Sequence, residues 1–364
     1  MKPVNSYNEW DPLEEVVVGR LDGAMLPTWQ TIARATVPPD SEYLKKRIEE
    51  RNKGASPYSE ELIAAGQKDL SEFIHILKAE GVKIRQPDSY PLSKSYSTPY
   101  WSVESSFCSA NPRDVLLVIG DELIEAPMAH RDRHYEIHPY RRILKDYFSQ
   151  GARWTSAPRP ELLDDLYDAN YQLPGEGEEM RYITTEFEPT FDAADFIRCG
   201  RDIFVQRSHV TNQSGIEWLR RHLGDKYRIH EVKTKCRQAC HIDTTFMPMA
   251  PGKLLYNPKF MEYEEIPEFV RKQWDIFECP TPVIRDWQKK MPISHWVNMN
   301  FLMLDEERIM VEQSQVHTIQ AFKEWGFKPI PCPFFNYYIF GGSFHCATLD
   351  VRRRGELKSY FEIP

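Results

Sequence analysis

"DLSEFIHILKAEGVKIRQP", Asp69–Pro87, reads as an amphipathic helix that stops at a glycine and runs into a short strand closed by a proline. A glycine just past a helix relieves the left-handed conformation of the C-cap, so Gly81 has a local cause. The same unit returns as "RRILKDYFSQGARWTSAP" (Arg141–Pro158), "GIEWLRRHLGDKYRIHEV" (Gly215–Val232) and "IQAFKEWGFKPIPC" (Ile319–Cys332). The stops there are Gly151, Gly224 and Gly326, and a fifth copy, "IPEFVRKQWDIFECP" (Ile266–Pro280), lacks the glycine. Between copies lie β-branched runs: "DVLLVIG" (Asp114–Gly120), "RDIFVQRS" (Arg201–Ser208) and "ERIMVEQS" (Glu307–Ser314). Five helix-plus-strand units, about 50–75 residues apart, predict an α/β fold and fit a closed radial array of small blades. Any protein alternating helix and strand carries similar units, so the spacing leaves the arrangement open.

No linker or low-complexity stretch divides the 364 residues, which are expected to form one domain, 1–364. The net charge is −8, with acidic and basic residues interspersed. That excludes the basic face of a nucleic-acid binder and leaves room for a small cationic ligand. The N-terminal "MKPVNSYNEWDPLEEVVVGR" has no apolar h-region, and the apolar run "VLLVI" (Val115–Ile119) is only strand-sized. Neither secretion nor a membrane span is expected. Seven irregularly spaced cysteines fit a reduced cytoplasmic protein better than a disulfide framework.

Three stretches hold residues suited to chemistry. In "QACHIDTTF" (Gln238–Phe246), His241 and Asp243 would share one face of an extended chain, about 7 Å apart along it. A satisfied core histidine with a turn aspartate is the plainer alternative, and zinc on Cys236, Cys240 and His241 lacks a second pair at finger spacing. In "EPTFDAADFIRCGRDIF" (Glu188–Phe204), Asp192 and Asp195 flank small and aromatic residues before a buried strand. Desolvated carboxylates there need a cationic partner; turn or N-cap carboxylates would not. In "GGSFHCATLDVRRRG" (Gly341–Gly355), the glycine pair gives close approach to Cys346. His345 is adjacent in an extended chain and is expected to face away, leaving His241 as the leading base. "DVRRR" (Asp350–Arg354) is expected to be salt-bridged rather than an anion site.

Several stretches, in order along nearly the whole chain, resemble the L-arginine-dependent amidinotransferases. They are "SYNEWDPLEEVVVGR", "NPRD", "EPTFDAADFIRCGRDIF", "HIDTTF", "NMNFLMLDEERIMVE" and "GGSFHCATLDVRRRGEL". The resemblance implies a five-bladed α/β-propeller of pentein type and ping-pong transfer of an amidino group from L-arginine to an amine, without metal or organic cofactor. It assigns Cys346 as nucleophile, His241 as acid/base and Asp192 as the carboxylate paired with that histidine. Asp114 and Asp243 would grip the donor guanidinium, and Ser294 of "ISHW" would contact substrate. It leaves a homodimer open.

The sequence departs from the glycine-specific enzymes of that family near the expected acceptor. Lys259 of "NPKF" stands where they carry an arginine implicated in the donor-carboxylate contact, and lysine offers a point charge in place of a planar fork. Gln238, Ala239 and Cys240 form a smaller set before "HID", and Ile293 replaces a serine beside Ser294. These changes point to an acceptor other than glycine: lysine first, then a diamine, an amino sugar or another secondary-metabolite amine. The competing functions are an arginine deiminase-like hydrolase giving citrulline, and a non-catalytic binder of guanidino compounds. Arg20–Asp40, with Gly23, Pro27 and Pro38–Pro39, reads as a long irregular loop suited to a lid.

Overall fold

The computed structural model describes residues 2–28, 30–37, 46, 56–175, 177–286, 288 and 294–362. Among the described residues, five three-stranded sheets form, and they share one topology. In four of them an antiparallel hairpin is followed by a helix and then a third strand parallel to the middle one. The hairpins are Leu116–Ile119 with Glu122–Glu125, Phe196–Cys199 with Asp202–Gln206, Phe246–Ala250 with Lys253–Tyr256, and Leu302–Met303 with Arg308–Glu312. The parallel strands are Arg153–Ser156, Arg228–Val232, Asp275–Glu278 and Lys328–Cys332. The fifth sheet joins the two chain ends. Leu13–Val18 pairs antiparallel with Thr348–Arg353 and parallel with Lys83–Arg85. A parallel return requires a crossover, and the recurring helix supplies it each time. The helices are Glu60–Ala79, Arg141–Ser149, Gln213–Leu223, Glu268–Gln273 and Val316–Glu324.

The expected glycine stops are present: Gly81, Gly151, Gly224 and Gly326 all have positive φ. At Gly81 (φ 82°) an added Cβ would meet nothing within 4 Å, so the backbone angle, rather than crowding, demands glycine. The glycine-less copy ends instead at Trp274 in extended conformation, φ −122°. Burial is graded across every sheet. Strands such as Leu116–Ile119, Phe196–Cys199 and Phe246–Ala250 are buried throughout, whereas Lys83–Arg85, Arg153–Ser156 and Asp275–Glu278 are half-exposed. The apolar runs are thus the innermost strands, and the mixed "KIR" and "RWTS" strands lie outermost.

"DVRRR" is salt-bridged, as expected, but Asp350 is buried. Its carboxylate meets Arg113 Nη2 at 2.6 Å, Arg198 Nη2 at 2.7 Å and Arg353 Nε at 2.5 Å. Arg198 also forks onto both oxygens of Glu9 at 2.8 Å. This network ties the innermost parts of three sheets together. Arg352 turns outward to Glu14 and Glu15. Of the Arg20–Asp40 segment, Trp29, Pro38, Pro39 and Asp40 lie outside the described residues. Its described part is anchored: Thr28 donates through N and Oγ1 to Asp132, and Ile32 and Ala35 pack with Ala129, Ile183 and Val210 beside Cys240. Among the described residues, no helix is long and apolar enough to cross a membrane.

Candidate active site

Each sheet delivers polar residues just before its innermost strand. Asp114 closes the short helix Pro112–Val115 ahead of Leu116–Ile119. Asp192 precedes the 3₁₀ turn Ala193–Asp195 ahead of Phe196–Cys199. His241 and Asp243 enter the 3₁₀ turn Ile242–Thr244 ahead of Phe246–Ala250. Asn300 follows Val297–Met299 ahead of Leu302–Met303, and Cys346 immediately precedes Thr348–Arg353.

These residues converge. Atoms of Asp114, His241 and Cys346 lie within 4.8 Å of one another. His241 Nε2 meets Asp192 Oδ2 at 3.1 Å, and its Nδ1 lies 3.7 Å from Asp114 Oδ1. Cys346 Sγ lies 3.4 Å from Asp243 Oδ2 and receives a hydrogen bond from Asn300 Nδ2 at 3.0 Å. The extended reading of "HID" needs correcting, because a 3₁₀ turn replaces the strand. His241 and Asp243 therefore reach the sulfur from separate hydrogen-bond networks rather than from one pleated face. The expectation for His345 also needs correcting: residues 344–347 form a turn rather than an extended chain, so its ring, which spans Asp243 Oδ2 (2.9 Å) and Glu9 Oε2 (3.4 Å), meets the same carboxylate oxygen as Sγ instead of facing away.

The electrostatics follow from burial and partners. Burial opposes a charge on His241, but Cys240, Asp114 and the Asp192 hydrogen bond outweigh it, and the imidazole keeps its proton well above the usual histidine range. Burial and then Asp243 push the Cys346 thiol up to about 12, while His241 pulls against them. Burial also raises Asp114, against the pull of His241 and Arg133. Burial opposes ionisation of Asp243 as well, yet His345, His241 and the Cys346 hydrogen bond hold its carboxyl below the usual range. Asp114, Asp192 and Asp243 each keep one buried oxygen, Oδ1, with no hydrogen-bond partner among the described residues. Bare carboxylate oxygens of this kind are costly unless a cation or donor meets them.

The glycine pair acts differently at its two positions. Gly341 takes the left-handed conformation (φ 95°) that ends the turn Phe335–Phe340. At Gly342 an added Cβ would lie 2.4 Å from Cys346 Cβ and 3.0 Å from Sγ, so its missing side chain is space for the sulfur itself. Asp195 is buried and accepts from Ser208 and Thr211 hydroxyls at 2.6 Å, and burial raises its carboxyl well above the usual range. It thus has hydroxyl partners, whereas Asp192 takes the histidine.

Among the described residues, two sets of atoms have ligand-like spacing, Asp114–His241–Cys346 and Asp192–Cys240–His241, and both share His241. Cys236 belongs to neither set. Cys240 is half-buried beside His241. Ser294 is half-buried and its Oγ accepts from Trp296 N at 3.1 Å, while its neighbour Ile293 lies outside the described residues. Lys259 is exposed, with its backbone N–H on Asn257 Oδ1.

Sequence reasoning missed two members. Arg133, buried, reaches Asp114 Oδ2 at 2.9 Å, Asp192 Oδ2 at 3.5 Å and Glu136 at 2.7 Å. It lies in "HRDRHYEIH" (His130–His138), a charge run without a spacing signal. Asn300 lies inside "NMNFLMLDEERIMVE", and its signal is position: it precedes an innermost strand, as Asp114 and Asp192 do.

No family model matches the chain. An L-arginine:L-lysine amidinotransferase of Pseudomonas savastanoi pv. phaseolicola is 46% identical over 358 residues, which span 98% of this chain and 96% of that relative. Among solved structures, SxtG, an amidinotransferase of Microseira wollei from the saxitoxin biosynthetic pathway, superposes with a TM-score of 0.94 at 56% identity. It covers 99% of this chain and 100% of its own. The inosamine-phosphate amidinotransferase StrB1 of Streptomyces griseus follows at a TM-score of 0.88 and 34% identity, covering 99% of both chains. With relatives this similar over nearly their whole length, the chain belongs to the amidinotransferases, and it is a transferase.

Proposed function

We propose that this enzyme moves the amidino group of L-arginine, through an amidino-cysteine on Cys346, to an amine acceptor, and releases L-ornithine. One observation carries the reading: a buried sulfur and a protonated imidazole are surrounded by three carboxylates, each with one bare oxygen. A planar cation with several N–H donors is the complement of that surface. Asp114 and Asp243 hold the guanidinium with its carbon near Sγ. Its positive charge between them favours loss of a proton from Sγ, which the same carboxylates disfavour when alone.

The thiolate then bonds to the guanidinium carbon and gives a tetrahedral adduct. His241, held by Asp192, donates a proton to the departing nitrogen, and ornithine leaves as an amine. Over this half-reaction the thiol's proton passes to solvent, the proton of His241 ends on ornithine, and the amidino group stays on sulfur as a cation, which leaves His241 neutral. The acceptor amine reverses the sequence. Its nitrogen attacks the amidino carbon, its proton passes to His241, and Sγ departs and is reprotonated. Arg133, 2.9 Å from Asp114 and 3.5 Å from Asp192, holds both carboxyl groups in place. No organic cofactor or metal enters these steps.

The working form is a single 1–364 domain in which the five sheets are blades of a five-bladed α/β-propeller. The shared topology, the graded burial and the common placement of site residues before the innermost strands support it. Lysine is the favoured acceptor, supported by the relative named for it. Ser294, Lys259 and Cys240 are assigned to substrate contact. Free cysteines among the described residues support a reducing cytoplasm. Arginine supplied with a panel of amines, with ornithine, citrulline and guanidinylated products read by mass, tests the proposal. Ornithine formation that depends on an amine is expected. Citrulline and ammonia without any amine would make the enzyme a hydrolase, and no turnover with a bound guanidino compound would make it a binder.

A further inference from the structure

Four of the five sheets supply the residues around Sγ that the family resemblance had singled out, and the remaining sheet, which Ser294 precedes, supplies Asn300. Its side chain is fully committed. Oδ1 accepts from Ser343 N and Cys346 N, both at 3.1 Å, which fixes the amide orientation because only the oxygen can take two N–H donors. Nδ2 therefore points the other way, donating to Asp243 Oδ2 at 2.6 Å and to Cys346 Sγ at 3.0 Å. The residue is 3% exposed, so water does not compete for these bonds.

Consider what Sγ meets in its two states. As a thiol it donates its proton toward Asp243 Oδ2, 3.4 Å away, and accepts from Asn300. As a thiolate it has no proton to give Asp243, and the amide N–H is its fixed neutral donor. The backbone N–H of Cys346 is already spent on Asn300 Oδ1. A donor aimed at charge that develops during reaction costs no reorganisation when the charge arrives. The same nitrogen occupies Oδ2 of Asp243, jointly with His345, and so directs the bare Oδ1 of that carboxylate to the substrate side.

We propose that Asn300 is a catalytic residue of this enzyme: its side-chain amide holds Cys346 Sγ as the attacking thiolate and fixes Asp243 beside it. This rests on Cys346 being the nucleophile. Two variants test it. Asn300→Asp keeps the shape and the acceptor oxygen but places a second acceptor against sulfur, and Asn300→Ser removes the donor with little bulk. Thiolate formation is followed without arginine, at neutral pH, as the rate at which iodoacetamide alkylates Cys346, with each protein's Cys346→Ser counterpart as blank, and kcat/KM for arginine is followed at the same pH. Alkylation is expected to slow about tenfold in the serine variant, about the effect of one lost hydrogen bond to a charge, and by more in the aspartate variant. The kcat/KM for arginine is expected to fall with it, by tenfold or more.

A purely structural role would lower kcat/KM and leave the alkylation rate of Cys346 in place, and that result overturns the proposal. If one variant fails to fold by circular dichroism, the other decides. Alkylation needs no turnover, so slowed alkylation in an enzyme that transfers nothing would sustain the role of Asn300 while refuting the proposed function.

Discussion

Replacing Asp192 with asparagine removes one charge from a buried position and leaves the shape intact. Asp192 is fully buried, and its Oδ2 lies 3.1 Å from His241 Nε2 and 3.5 Å from Arg133 Nη1. At an effective dielectric near 20, unlike charges about 3 Å apart attract by about 5 kcal/mol. Relief of the Asp192 desolvation penalty and the remaining pull of Asp114 offset part of this, and the net worth of a hydrogen bond to a charged group is about 1.5–3 kcal/mol. That range corresponds to about one to two pKa units for His241, and to a loss of about 10- to 100-fold in kcat/KM.

The sign is fixed by the direction of the shift. His241 is raised in the folded protein, so its ion-pair contribution to stability is complete below the unfolded histidine value of about 6.5 and is lost as pH rises through the folded value. Asp192→Asn lowers the folded value. The alkaline limb of activity, where the imidazole no longer donates to the departing nitrogen, moves to lower pH by about one to two units. The stability gap between wild type and variant is widest in acid and closes at high pH. Ornithine release across a pH series, with circular dichroism to verify the fold, measures both effects. A loss below threefold with the alkaline limb unmoved would refute the pairing of Asp192 with His241 as a working unit.

Gly342→Ala places a methyl group 2.4 Å from Cys346 Cβ, so the sulfur must move; activity should fall by at least about 100-fold, and the melting temperature should drop too, since overpacking a buried site costs about 1–3 kcal/mol. Wild-type turnover in the alanine variant would show that Sγ tolerates displacement. Arg198→Ala strands Glu9 and Asp350 without their fork, and urea unfolding should show a loss of about 3–5 kcal/mol at neutral pH. Both carboxyls are held below their usual range in the native protein, so this contribution is present above the unfolded carboxylate range of about 4 and is lost as pH falls through the depressed folded values. The variant's deficit should therefore narrow in strong acid; a deficit independent of pH would place the cost in packing instead.

Legibility divided along physical lines. The helix, glycine and strand units could be read because their causes are local: a positive φ at Gly81, an apolar stripe, a β-branched run. That Leu116–Ile119 is buried could be read from its unbroken apolar character, whereas Phe196–Cys199 carries Arg198, whose burial follows from its ion pairs with Glu9 and Asp350. The family motifs carried Cys346, His241, Asp192, Asp114 and Asp243, which the fold brings together from four different sheets. Periodicity did not carry the turn at Ile242–Thr244, because a two-residue alternation over "HID" looks the same in a strand and in the entry to a 3₁₀ turn. Arg133 and Asn300 stayed hidden for another reason. An arginine in a charge run and an asparagine among apolar residues acquire their meaning only from partners 19 to 59 positions away, such as Asp114 and Asp192 for Arg133 and Cys346 and Asp243 for Asn300.

The central claim is a covalent bond between the sulfur of Cys346 and the guanidino carbon of arginine. Arginine labelled at that carbon, mixed with enzyme in the absence of any amine and quenched in acid, tests it most directly by peptide mapping. The account predicts label on the peptide that holds Cys346, one ornithine released per label, and discharge of the label onto lysine when that amine is added. Label on no cysteine peptide, or label appearing in free citrulline without an amine, would contradict it.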